Sequence, residues 1–131
     1  MKLLLIGLLA LSGCTLTDSY LMTHYDGNEY KKIIDIRMSA HVGAAGCKDP
    51  IASADSAKAL ASQTLELQYF EEHIPHNTNA YNAAVSLNEI AQGLVVRYNN
   101  PPVPVVFCKI KFESIEHSAA VIQHVIGNRP R

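Results

Sequence analysis

The sequence has no cluster of lysine and arginine and no basic tract beside aromatic residues. Binding to a phosphate backbone therefore has no electrostatic footing, and nucleic acid is excluded as an expected partner. No apolar run approaches the roughly 20 residues that a membrane-spanning helix needs; the longest, Leu3 to Leu11, is about half of that. There is no Gly-x-Ser-x-Gly elbow, no phosphate-gripping glycine loop and no His-Glu-x-x-His metalloprotease pair. With no catalytic motif and no cofactor fingerprint, the expectation is a non-enzyme without a cofactor.

The amino terminus carries the sharpest signal. Met1-Lys2 is followed by the apolar run and then by Ser12-Gly13. A short basic start, a hydrophobic centre and small residues before a cleavage point are how a secretory signal peptide is built. Leu11-Ser12-Gly13-Cys14 resembles the lipobox of bacterial lipoproteins, in which a diacylglycerol is attached to the cysteine thiol. The resemblance covers the leader and Cys14 alone. It implies that residues 1–13 are removed, that Cys14 is the lipidated (palmitate-bearing) first residue, and that the chain is membrane-anchored. Several acyl chains, at about 0.8 kcal/mol per buried methylene, give stable anchoring where one does not. In the sorting rule of that class an acidic residue after the cysteine favours the inner membrane. Thr15 thus implies a periplasmic domain on the outer membrane of a Gram-negative cell. Residues 14–27 read as a lipidated tether and residues 28–131 as one domain.

Removing residues 1–13 leaves 118 residues, enough for one domain and too few for two. Loss of Lys2 takes the formal charge from −1 to −2, so the protein surface itself offers little to draw it to a membrane. With Cys14 spent on lipid, Cys47 and Cys108 remain, too far apart in sequence for a compact metal motif. In an oxidising compartment such a pair is expected to bridge. Closing so long a loop is worth roughly 4 kcal/mol in the chain-entropy account.

Four helices follow from periodicity and breaks. The first runs from about Asn28, its expected cap, to about Ala45, with Ile33, Ile36, Ala40, Gly43 or Ala44, and Cys47 on one face. Gly46 closes it, and Asp49-Pro50 caps and starts the second, which reaches about His73 before Pro75 stops it. The third spans about Ala80 to Tyr98, striped by Ala84, Leu87, Ala91, Leu94 and Tyr98. Asn99 to Pro104, with three prolines, is a hard break. Val105 to Lys111 is ambiguous between strand and helix. The longer span favours helix to about Ile126, with Phe107, Ile110, Ser114, His117 or Ser118, Val121 and Val125 on its apolar face. Short connections imply an all-α, up-down-up-down four-helix bundle. In that topology the end of the first helix and the start of the fourth share one end of the bundle, where Cys47 and Cys108 sit.

Candidate sites are sparse. Glu71-Glu72-His73-Ile74-Pro75-His76 is the densest group of metal-ligand types, but Pro75 interrupts the helix that would orient it, and a polar helix end explains it as well. His117 and His124, seven apart, share a face near the apolar stripe, and His41 is placed to approach it; ordinary part-buried histidines are the commoner outcome. Glu71-Glu72 and Glu113 with Glu116 read as solvated carboxylate pairs, and Ser114 with His117 as a shared face without a triad. For a protein partner the candidates are Tyr98, Pro101, Pro102, Val103 and Pro104, a stiff, partly apolar loop. A second is the tyrosine group Tyr20, Tyr25 and Tyr30, with Leu21 and Met22, around the tether, placed to lie along a membrane, to contact a larger complex or equally to pack partly against the bundle. The functional expectation is a lipid-anchored accessory or interaction protein of the bacterial cell envelope with a protein partner. The alternatives are a metal or small-ligand binding module and a mobile-element exclusion or inhibitor lipoprotein.

Overall fold

The computed structural model describes residues 23–131. They form four helices: α1 (Gly27–Ala45), α2 (Pro50–Glu72), α3 (Thr78–Tyr98) and α4 (Val105–Gly127). Local chemistry explains the boundaries. The Asp26 side chain accepts the Asn28 and Glu29 backbone N–H groups, so Asp26, not Asn28, caps α1. Asp49 accepts from Ile51 and Ala52, with Pro50 at the first helical position, as the sequence predicts. α3 begins at Thr78, earlier than expected, because Asn77 ends the preceding turn. The Asn77 side chain makes no cap bond, since it is engaged elsewhere. The ambiguous segment from Val105 is helical, and it follows directly on Pro104.

Each helix packs on its neighbours in sequence, and α1 also packs on α4, closing a four-membered ring. α1 with α4 and α2 with α3 are the intimate pairs, while α3 and α4 meet most thinly. Cys47, just past α1, is bonded to Cys108 in the first turn of α4, with their Cα atoms 5.8 Å apart. At the other end Glu29, in the first turn of α1, meets Arg129 just past α4. The two helices therefore run antiparallel, and the architecture is the expected up-down-up-down bundle with one disulfide.

The core is built from Ile33, Ile36, Ala40, Leu60, Leu67, Leu87, Leu94, Phe112, Ile115 and Ile126, with alanines between. Gly43 permits the close α1–α4 approach: a Cβ there would lie 2.4 Å from Phe112 Cε1. The buried faces of α1 and α3 are those read from the sequence. That of α4 is not. Cys108, Phe112, Ile115, Ala119, Ile122 and Ile126 face the core, in alternating steps of four and three, while Ile110, Val121 and Val125 lie on the exposed side. α4 carries apolar residues at helical spacing on two faces, and periodicity alone does not choose between them. The disulfide at Cys108 and the fit of Phe112 against Gly43 do.

Candidate functional site

The leader, Cys14, Tyr20, Leu21 and Met22 lie outside the described residues. The end of the bundle at which α1 begins holds a buried polar cluster that the sequence did not announce. Glu29, Glu71, Asn77 and Arg129 are each less than a tenth exposed. They come from the first turn of α1, the last turn of α2, the residue capping α3 and the segment after α4. Arg129 Nη1 donates to Glu29 Oε2 at 2.5 Å and Nη2 to Asn77 Oδ1 at 2.8 Å, while Asn77 Nδ2 donates to Glu71 Oε2. The other carboxyl oxygens, Glu29 Oε1 and Glu71 Oε1, are buried with no further donor.

One guanidinium serves two buried carboxyls, so full ionisation would leave an uncompensated negative charge in the core. Burial pushes Glu29 up, the Glu71 carboxyl beside it pushes it further, and Arg129 opposes them; the result is a pKa raised from 4.5 to about 8. A proton held by Glu29 and donated to Glu71 satisfies both remaining oxygens and makes the cluster neutral. The expectation that Glu71-Glu72 is a solvated pair is thus wrong for Glu71: helix geometry puts neighbouring side chains about 100° apart, so Glu72 points out while Glu71 points in.

Around the cluster the segment before α1 is fastened to the segment after α4 and to the α2–α3 turn. Tyr25 N–H donates to the Pro130 carbonyl at 2.9 Å, and Thr23 Oγ1 donates to the carbonyls of Pro75 and His76 at 3.1 Å. The Tyr25 and Tyr30 rings pack with centroids 5.7 Å apart, and Tyr30 lies against the core. These two tyrosines belong to the bundle and not to a free tether.

The histidine candidates are dispersed. His41 is exposed and sits 3.2 Å from Glu116 across α1 and α4, while His117 and His124 point to solvent on the outer side of α4. The expected part-buried group of His41, His117 and His124 does not form, because the α4 face that carries the latter two is turned away from the core. Glu72, the last residue of α2, and His73 and His76 beyond it are exposed, and His76 takes a left-handed backbone (φ 56°) that turns the chain into α3. Among the described residues no three His, Cys, Asp or Glu side chains are grouped to hold a metal ion.

At the disulfide end the proline loop is clamped. Arg97 donates to the carbonyl of Asn100 and, at 2.9 Å, to that of Pro102. Tyr98 Oη donates to Cys108 Sγ at 3.0 Å, and Val103 packs on the core. Pro101, Pro102 and Pro104 are exposed. Beside the loop, Phe107 lies between the cations of Arg97 and Lys111, at 5.7 and 5.5 Å, in an open groove of about 420 Å³ between α3 and α4.

The most extended apolar feature of the surface is α4 itself. Val106 is 68 % exposed, Ile110 58 %, Val121 53 % and Val125 54 %, all on one face. Elsewhere large exposed apolar residues stand singly or as the pair Met38 and Val42, which calls for no explanation.

No protein-family model, no curated protein and no solved structure matches the chain. The attributes expected from the leader (lipoprotein, signal peptide, palmitate, outer membrane, periplasm) are corrected accordingly. No match carries them, and among the described residues no helix is long and apolar enough to cross a membrane. What stands of that description is a helical bundle with one disulfide.

Proposed function

We propose that the chain is an exported protein-contact domain that acts by presenting the outer face of α4. The apolar stripe Val106, Ile110, Val121 and Val125 on a helix whose other face already fills the core carries this reading. Exposed apolar area of that kind, gathered on one rigid element, is what a protein partner buries. The buried Cys47–Cys108 bridge supports export, since such bonds persist in oxidising compartments. The clamped loop at residues 98–104 extends the same end of the surface with little entropy left to lose on binding.

A photo-crosslinking residue placed at Ile110 or Val121 in cells tests the proposal, with Tyr69 on α2 as the control position. Defined crosslinked bands are expected from α4 and none from Tyr69. Equal capture at all three positions, or at none, overturns the contact role of α4.

A further inference from the structure

The exposed face of α4 has an internal symmetry. Val106, Ile110, Ser114, His117, Val121 and Val125 follow one another in steps of four, four, three, four and four, which read the same in both directions. Apolar residues occupy both ends and polar ones the centre. Laid against a second α4 running the opposite way, Val106 meets Val125, Ile110 meets Val121, and Ser114 meets His117, each contact made twice. A surface that matches its own reverse is what a two-fold, isologous interface requires.

The charges choose between arrangements. A parallel pairing about the same face would set His117 on His117 near the centre of the contact. The antiparallel one brings each Glu113 beside the His117 of the other copy, and it also opposes the helix dipoles. Glu113 and His117 are both exposed and carry no ion pair among the described residues. A bilayer is a poorer occupant: Lys109 and Lys111 are balanced along α4 by Glu113 and Glu116, leaving no net positive charge to meet anionic lipid.

We infer that the partner of this face is a second copy of the chain, joined through an antiparallel α4–α4 contact centred between Ser114 and His117. The inference rests on the proposed contact role of α4 and names its partner. The stripe holds four large apolar side chains per copy, few for a permanent dimer, so the association is weak and concentration-dependent.

Register-specific crosslinking of the full chain tests this. A Cys14→Ser background leaves only the buried Cys47–Cys108 bridge, and Ile110→Cys and Val121→Cys are made in it separately. With a short bismaleimide, the mixture of the two proteins is expected to give a 110–121 crosslinked dimer, while each protein alone gives at least tenfold less. Sedimentation is expected to show a dimer whose dissociation constant rises at least tenfold in Ile110→Asp, with the circular dichroism spectrum unchanged. Crosslinking of Ile110→Cys with itself would overturn the antiparallel arrangement. A monomer at every concentration would overturn self-association. In that case loss of the in-cell crosslinks on Ile110→Asp would leave the contact role standing with a different partner, and no loss would remove both.

Discussion

Replacing Glu29 by glutamine isolates the buried proton. In the wild type Glu29 titrates near 8 when folded and near 4.5 when unfolded, so between these values the folded state holds a proton that the unfolded chain has released. Stability contributed by this group is fully present below pH 4.5, falls as pH rises, and is lost once pH passes about 8. At about 1.36 kcal/mol per pH unit the whole interval is worth about 5 kcal/mol, and the part between pH 6 and 8.5 about 2–3 kcal/mol. For a domain of this size that corresponds to a fall in Tm of about 10 °C. Glutamine reproduces the protonated acid at every pH: its oxygen accepts from Arg129 and its amide donates to Glu71. Glu29→Gln is therefore expected to unfold at nearly the same temperature at pH 6 and 8.5, and above pH 8 to be more stable than the wild type. Thermal melts followed by circular dichroism at the two pH values decide it. If the variant loses as much stability across that interval as the wild type, or the wild type loses none, the shared-proton account is wrong.

Four further outcomes follow from the packing. Arg129→Met removes the donor to Glu29 Oε2 and Asn77 Oδ1, leaves the buried carboxyl cluster without a cation, and is expected to cost about 3–5 kcal/mol at pH 7 in urea unfolding; a loss under 1 kcal/mol would mean that the cluster opens to water. Replacing Cys47 and Cys108 by serine together, or reducing the bridge, is expected to cost roughly 4 kcal/mol, and an unchanged Tm in reductant would show that the bridge constrains nothing. Gly43→Ala drives a methyl group into the Phe112 ring and is expected to cost about 1–3 kcal/mol. Gly93→Ala meets nothing within 4 Å and is expected to add about 0.5–1 kcal/mol. Equal effects at the two glycines would contradict the close approach of α1 to α4.

Much of the architecture was legible before any coordinates, because it is written locally. Asp49-Pro50 starts a helix by supplying a side-chain acceptor and a residue without an N–H where none is needed. The prolines from Pro101 to Pro104 end one helix and abut the next. Ala84, Leu87, Ala91 and Leu94 mark their buried face because the rest of α3 offers no competing stripe. The pairing of Cys47 with Cys108 followed from counting cysteines and from helix order together.

What the tertiary structure alone decided lies in α4 and in the polar cluster at the opposite end from the disulfide. α4 has two apolar faces of helical period, and the one turned inward is set by the Cys108 bond and by the space above Gly43, both properties of α1 as a neighbour. That choice turned the expected core residues Ile110, Val121 and Val125 into the exposed stripe, and it carried His117 and His124 to the surface with them. The Glu29, Glu71, Asn77 and Arg129 cluster was equally invisible. Glu29 and Arg129 are 100 residues apart, and each side chain read singly belongs in water. Helical periodicity and turn chemistry act over a few residues, so the sequence determined the helices, their order and the bridge. Which face is buried, and which charges are shut in with a proton, are set by contacts between elements, and these exist only once the four helices have met.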